Sequence, residues 1–596
     1  MSFLLKALFL LPFLLWMFYA TLQQYVWQPQ TNHSWALKYS HDTIADGGCG
    51  GYGNHSDDSC YEIESEDVEY ETTYRGRWEL ASENSGLTAM HMFIFPNTNK
   101  AIMLDAVALG PSKTRLPLEI YRRIPDSKKK YADFWAHAVE YDIDTATIRP
   151  LMILTDTWSS SGGLSANGTV LISGGWSGGG KTVRYLSGCY DTCDWKERRR
   201  ALSGKRWYST QHILPDGSFI VVGGRRMFNY EYLLTEGNSE KKIYELPFLH
   251  ETTDPGENNL YPFVFLSTDG NLFIFANNRS ILLNPTVNKI IRELPALPGG
   301  SRNYPASATS ALLPIKLHDP NPDVIQAEVL ICGGAKSEAA SLAVKGVFVN
   351  ALQDCARIDI TNPMDTWHKE MMPSPRVMGD MLLLPTGDVL IINGAKKGTA
   401  GWNVAYGPNM IPVLYKPDRP ERRRFMELTA TVRPRTCHST STLLPNGNIL
   451  VAGSNPSYRY NVNDSKYPTE LRVEKFYPPY FDQSLISNRP FIISTFNNKM
   501  IKYGKKFVIK FKLKRLEVSA VDLKVTMYAP PFTTHGISMG QRLLILSTDG
   551  LIDEGPEMFK VSVMAPPTAT IAPPGYYLVF VVHSLVPSPG AWVQIG

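Results

Sequence analysis

The chain holds 596 residues with a formal charge of +4, 43% hydrophobic and 19% charged residues. This composition is that of a globular protein rather than a disordered one, and so small a net charge gives no electrostatic footprint for nucleic acid. The length admits several domains, or one large repeat domain with additions.

In chain order, Lys6 is followed by an apolar run, Ala7 to Tyr19, and then by Ala20. Residues 1–20 read as a secretory signal peptide. The stretch Phe3 to Ala20 carries Lys6 and Pro12 and is short for a membrane span. Bulky Phe18, three places before a cut after Ala20, leaves a retained signal anchor as the other reading. If the signal is cleaved, no transmembrane domain is expected. Residues 21–80 are polar and rich in glycine and acid, an irregular extension. The runs Glu64–Glu71, Lys196–Arg200 and Glu421–Arg424 read as solvated loops.

Asn32, Asn54, Asn167, Asn278 and Asn463 each begin an Asn-x-Ser/Thr tripeptide, the acceptor pattern for N-glycans. Together with the apolar start they predict a secreted or extracellular protein. Seven cysteines are present. In an oxidising compartment, closeness in sequence suggests Cys49–Cys60, Cys189–Cys193 and Cys332–Cys355 as pairs, although spacing alone does not fix connectivity. With those pairs, Cys437 is left over.

From about residue 81 to 483 one phrase recurs: apolar residues, a turn ending in glycine, a β-rich run, then Gly-Gly or a relative. Its copies span Phe93–Ala106, Gly163–Trp176, Ile213–Arg226, Phe265–Asn278, Ala311–Ala335, Leu382–Ala395 and Thr442–Asn455, the first and fifth being degenerate. The Asp-Gly and Asn-Gly turns supply the positive φ of tight hairpins, and the β-branched run after each suits a buried strand. A unit recurring roughly every 50 residues is the mark of a kelch-type array. The expectation is an all-β chain whose main domain is a seven-bladed kelch-type β-propeller. Residues 484–596 change character, alternating strands with Pro- and Gly-rich turns, and predict an immunoglobulin-like β-sandwich.

A propeller presents its chemistry where loops from several blades converge, so a metal site there needs no local motif. Candidate side chains flank the repeats: Tyr208 in "RWYSTQHILPDG", His438 in "TCHSTSTLLPNG" and His535 in "APPFTTHGISMGQR". Taken alone, each also reads as a hydrogen-bonded or packed structural residue.

The motifs "DTWSSSGGLSANG", "CDWKERRRALSGKRWYSTQHILPDGSFIVVGGRRMFNYEY", "HSTSTLLPNGNILVAGSNP", "YPPYF", "APPFTTHGISMGQR" and "PPGYYLVFVV" together resemble the galactose oxidase and glyoxal oxidase family of copper-radical oxidases, in its plant glyoxal-oxidase-like branch. The resemblance covers the chain after about Gly76. It implies a propeller followed by an immunoglobulin-like domain, and oxidation of small aldehydes such as glyoxal or methylglyoxal by O₂ to acids and H₂O₂. It also implies one copper ion partnered by a tyrosyl radical. Carried over by position, the radical tyrosine is Tyr208 and the two metal histidines are His438 and His535. A cysteine that links to the tyrosine is expected at the place of Ser159, and an axial tyrosine at the place of Cys437. Arg226 stands where galactose-oxidising members place an aromatic ring over the thioether.

Two readings follow. The first is a secreted, monomeric copper oxidase of small aldehydes whose redox chemistry is altered at Ser159 and Cys437. The second is a non-catalytic extracellular or cell-wall binding protein on the same scaffold, with cell-wall glycans among its partners. On the first reading, a Cys437 thiolate beside a metal is a strong ligand and a reductant.

Overall fold

A computed structural model describes residues 72–118, 120–123, 132–188, 193–234, 241–318, 324–463, 466–494, 500–514 and 518–596. All of them belong to one compact unit that runs from Val68 to Gly596. The predicted signal, most of the predicted extension, Cys49, Cys60, Asn32 and Asn54 lie outside the described residues. Among the described residues α-helix is confined to Pro247–Glu251 and Ala339–Val344, and no helix is long and apolar enough to cross a membrane.

The repeats fold as the sequence pattern predicts. Each copy is an antiparallel hairpin forming the first two strands of a four-strand ladder: His91–Ile94 with Lys100–Leu104, Ser161–Leu164 with Val170–Ser173, Ser209–Ile213 with Phe219–Gly223, Phe263–Leu266 with Leu272–Ala276, Thr309–Leu312 with Glu328–Cys332, Asp380–Leu383 with Val389–Ile392, and Ser439–Leu443 with Ile449–Gly453. First strands pack beside one another, Ser209–Ile213 on Ser161–Leu164 and Phe263–Leu266, and Asp380–Leu383 on Thr309–Leu312 and Ser439–Leu443. The last ladder takes its outermost strand from the far end of the unit: Arg77–Ser82 pairs with Val473–Tyr477. This pairing closes the array and removes an exposed edge. In sum the chain is all-β.

The ladders are joined through buried arginines. Arg206, Arg302, Arg376 and Arg435 precede the first strand of their ladders and are fully buried. Each guanidinium reaches the carbonyl at the end of its own second strand. Arg206 Nη1 donates to Gly223 O at 2.8 Å, Arg302 Nη1 to Gly333 O at 2.6 Å and Arg435 Nη1 to Gly453 O at 2.7 Å, while Arg376 donates to Asn393 O. Three of them also pair with a buried carboxylate: Glu231, Asp354 and Glu474. The arginine main chain meanwhile holds the preceding ladder. Gly175 N donates to Arg206 O (2.8 Å), Gly334 N to Arg376 O (3.0 Å) and Gly394 N to Arg435 O (2.8 Å). The glycine ends of the repeats are required here. Gly453 sits at φ +77°, and a Cβ on it would come 2.6 Å from His438 O.

After the last ladder, two sheets face each other. One runs Phe491–Ser494, Lys506–Lys512, Met558–Met564, Thr548–Gly555, and its two middle strands alternate buried and exposed residues. The other contains Arg542–Leu546, Leu523–Ala529, Gly575–His583 and Ala591–Ile595. Ile509, Phe511, Val561 and Val563 of the first share a core with Val525, Met527, Val579 and Val581 of the second. The second sheet buries its other face too, because Tyr528, Leu578, Phe580 and Val582 pack with Leu382, Leu390, Leu443 and Leu450 of the ladders. This explains why Gly575–His583 is apolar at almost every position rather than at alternate ones.

Cys332 and Cys355 form a disulfide across paired strands. Cys193 is disulfide-bonded, and its expected partner Cys189 lies outside the described residues. Cys437 is free and buried. Asn167 and Asn463 are exposed and Asn278 is partly exposed.

Arg206→Ala should lower stability by about 3–5 kcal/mol, since removing one partner of a buried ion pair deprives the buried Glu231 carboxylate of its guanidinium counter-charge. The midpoint of thermal unfolding at a fixed scan rate checks this. An equal midpoint for variant and wild type would show that the guanidinium is dispensable.

Candidate metal centre

The first strands share a feature that their sequences do not announce. Ser159, Tyr208, Tyr261, Ser307, Met378 and His438 each lie one or two residues before a first strand, and each has φ between 47° and 65°. Left-handed backbone is costly for a bulky L-residue. Its repetition at equivalent places marks a designed presentation of side chains.

His535 arrives from the C-terminal part of the chain. The hairpin Phe532–Thr534 and Ile537–Met539 leaves the second sheet and pairs with His91–Ile94, matching Met92 with Thr533 and His91 with Thr534. Its two-residue loop is His535-Gly536, with φ 49° and 79°, the positive pair of a type I′ turn. Glycine is required at the second place, because a Cβ there would meet Gly379 O at 2.6 Å. The hairpin packs against first strands of several ladders and is pinned by Thr309 Oγ1 donating to Gly536 O (3.1 Å) and Ser538 Oγ donating to Met381 O (3.1 Å).

The result is a ring cluster around His535. Ring centroids lie 5.2 Å away for His438, 5.2 Å for Tyr261, 5.6 Å for Tyr304 and 6.2 Å for both Tyr208 and His91. Ser159 Oγ stands 3.4 Å from His535 Nε2, while His535 Nδ1 is 2.6 Å from Thr534 Oγ1. His438 Nδ1 is buried without a hydrogen-bond partner. The structure therefore brings together Tyr208, His438, His535 and Ser159 from four separated places in the chain.

Tyr261, Tyr304 and His91 were not anticipated by the sequence reading. A signal existed for the tyrosines: each begins a Tyr-Pro pair just ahead of a repeat, Tyr261-Pro262 and Tyr304-Pro305. Arg226 takes no part. It is exposed and ion-paired with Glu257 at 3.6 Å, and among the rings packed on Tyr208 is that of Tyr304, 4.7 Å away and tilted by 30°.

Burial dominates the electrostatics. It holds His91 near 3 and His438 near 4, and it keeps His535 well below the usual imidazole range. All three are neutral at ordinary pH, the form in which imidazole binds a metal. Burial raises the Tyr208 phenol, and hydrogen bonds from Tyr304 and Ser159 oppose that rise. The thiolate expected at Cys437 is that of a metal-bound centre; in the metal-free fold its surroundings act in the opposite direction. Burial pushes this thiol up to about 12, because it packs with Ala306, Val377, Met378, Ala395 and Ala400 and desolvation disfavours the anion.

Residues 90–480 match the family model described as Glyoxal oxidase N-terminus, and residues 489–595 match the Galactose oxidase-like, Early set domain. The chain belongs to the glyoxal oxidase family. It is 51% identical to Aldehyde oxidase GLOX1 of Arabidopsis thaliana over 88% of this chain and 85% of that one. It is 40% identical to Aldehyde oxidase GLOX of Vitis pseudoreticulata over 87% and 97%. A fungal alcohol oxidase of the AA5 family, solved in complex with copper, superposes with a TM-score of 0.65 at 16% identity, covering 87% of this chain and 99% of that one. This last likeness concerns the fold.

The copper that the family implies can be tested against the donors present. Among the described residues no group of three His, Cys, Asp or Glu side chains could hold a metal ion, so beside the two imidazoles the side-chain donor at hand here is a phenol. Two neutral imidazoles, one with an unpartnered buried nitrogen, and a buried phenol make up the donor set, and nitrogen and oxygen donors suit Cu(II).

Asp380 opens a first strand next to this cluster and accepts from Ser441 Oγ (2.8 Å) and Asn393 Nδ2 (2.9 Å). Burial pushes it up to about 7. The folded state thus prefers the protonated acid more than the unfolded chain does. The associated stability is present at about pH 4 and is lost as pH rises through 7. Asp380→Asn should remove this loss, so its unfolding midpoint should gain on that of wild type between pH 4 and pH 8, by the equivalent of a few kcal/mol at most. A pH-independent difference would show that Asp380 is not protonated in the fold.

Proposed function

We propose that this protein is a copper-dependent oxidase of small aldehydes such as glyoxal or methylglyoxal. In the overall reaction an aldehyde, water and O₂ give a carboxylic acid and H₂O₂. The observation that carries the reading is the convergence of His438, with its unpartnered buried Nδ1, on His535 and Tyr208. When bound, copper would accept one electron and polarise the substrate oxygen.

The chain's own residues prepare that site. Tyr208, His438 and His535 would hold the ion, and the buried arginines fix the loops bearing Tyr208 and His438 so that little reorganisation is needed on binding. Thr534 orients His535 through Nδ1, and His91 Nδ1 lies 2.7 Å from the same hydroxyl, a supporting contact of the kind that fixes the tautomer of a metal-binding imidazole. Partly exposed Trp158, Trp176, Trp207 and Trp402 pack ring to ring beside Tyr208, and Trp207 touches it at 4.8 Å. They supply an apolar wall that limits water at the site. On this reading Tyr208 works without a covalent link, because a serine hydroxyl at position 159 cannot form a thioether. The Cys332–Cys355 disulfide and exposed Asn167 support an oxidising, secretory route.

Ser159 also favours a second reading, a non-catalytic extracellular or cell-wall binding protein. Its side chain is fully buried beside His535, where the family pattern has the linking cysteine. Metal analysis of purified protein and H₂O₂ release with glyoxal or methylglyoxal decide between the two. The oxidase reading expects about one copper per chain and steady H₂O₂ release, and it expects both to be lost in His438→Ala. Absence of copper from the folded wild type after loading would leave the binding-protein reading. Ser159→Cys combined with Cys437→Tyr should raise turnover. A folded, copper-loaded double variant no faster than wild type would show that these two positions do not limit the rate.

A further inference from the structure

We propose that Tyr304 is a positioning residue for Tyr208, acting through the oxygen that faces the centre. Three phenols gather at His535, and their hydroxyls are committed differently. Tyr261 gives its own proton to Ser160 O at 2.7 Å, and its oxygen is hydrogen-bonded by Thr534 and Ser159. The hydroxyls of Tyr208 and Tyr304 lie 3.4 Å apart, under rings whose centroids are 4.7 Å apart. With its proton in place, Tyr208 donates to Tyr304. Once Tyr208 is a phenolate, as it would be when holding a metal, the hydrogen bond reverses and Tyr304 donates to it. A hydrogen bond to a charged acceptor is stronger than one between neutral groups.

Tyr304 is held where this requires it. The neighbouring Asn303 Nδ2 donates to Tyr261 O (3.0 Å), and Tyr261 N in turn donates to Tyr208 O (2.9 Å). On the other side Ala400 N donates to Pro305 O (2.8 Å). The ring also packs on the small-residue cluster that contains Cys437. A small side chain at 437 and a large one at 304 thus share one wall of the centre. The second phenol comes from a different ladder than position 437 would predict.

This inference rests on the reading of Tyr208 as a metal-holding phenol, so its test has one arm with copper and one without. In copper-loaded protein, Tyr304→Phe keeps the ring and removes the hydroxyl. Loss of the donated hydrogen bond raises the energy of the phenolate electrons, so the phenolate-to-copper absorption should move to longer wavelength. kcat should fall about tenfold. Tyr261→Phe should leave that band in place. An unmoved band in Tyr304→Phe overturns the proposal. In metal-free protein, a cycle of Tyr208→Phe, Tyr304→Phe and the double variant should show non-additive unfolding midpoints, because the two hydroxyls interact. Tyr261→Phe with Tyr304→Phe should be additive. Additivity between positions 208 and 304 overturns the proposal as well. If wild type takes up no copper, the oxidase reading fails by that result alone and the metal-free cycle still decides the role of Tyr304.

Discussion

The constraint on which the rest of the structure depends is the buried arginine ahead of the first strand. Arg206, Arg376 and Arg435 each do two things at once. The guanidinium closes a hairpin of its own ladder, and the main-chain carbonyl receives the glycine N–H that ends the preceding ladder. A buried guanidinium is costly to desolvate and pays back only with its full set of acceptors in place. The loop it occupies therefore has little freedom, and each of the three leads to a residue at positive φ: Tyr208 two places after Arg206, Met378 two after Arg376, His438 three after Arg435. The extra residue in the last case is Cys437, which turns into the small-residue cluster while His438 turns toward His535.

Backbone strain at these loops has a use. Positive φ at Tyr208 and His438 costs free energy that the surrounding hydrogen bonds offset. The gain is a set of short lead-in segments that set side chains from different ladders near one another. The C-terminal sheet contributes the last donor by the same device, a two-residue loop with both residues at positive φ. Its glycine is demanded by the close approach of Gly379 O, so the hairpin that presents His535 fits tightly against the ladders. Fold and centre are in this sense one structure.

Ser159 and Cys437 are accommodated without disturbing the scaffold. Ser159 retains the left-handed backbone of its place and hydrogen-bonds within the cluster. Cys437 is buried in the small-residue cluster, where desolvation opposes the thiolate. Tyr304 adds a phenol held by the hydrogen bonds of its neighbours Asn303 and Pro305 and by the small-residue cluster it packs on.

What the sequence determined by itself was whatever rests on local pattern. The repeat, its Asp-Gly and Asn-Gly turns and its Gly-Gly ends specify each hairpin, because turn chemistry and strand periodicity act over a few residues. Resemblance then pointed to Tyr208, His438 and His535. The tertiary structure alone decided what rests on contacts between distant segments. These are the arginine links, the pairing of Arg77–Ser82 with the last ladder, the burial of Cys437 and the arrival of Tyr261 and Tyr304 beside Tyr208. Tyr304 and Tyr208 are separated by 96 residues, and no periodicity records that their hydroxyls meet. The physical reason is that burial and hydrogen-bond partners are properties of the assembled ring, whereas a hairpin is already defined by the residues that make it.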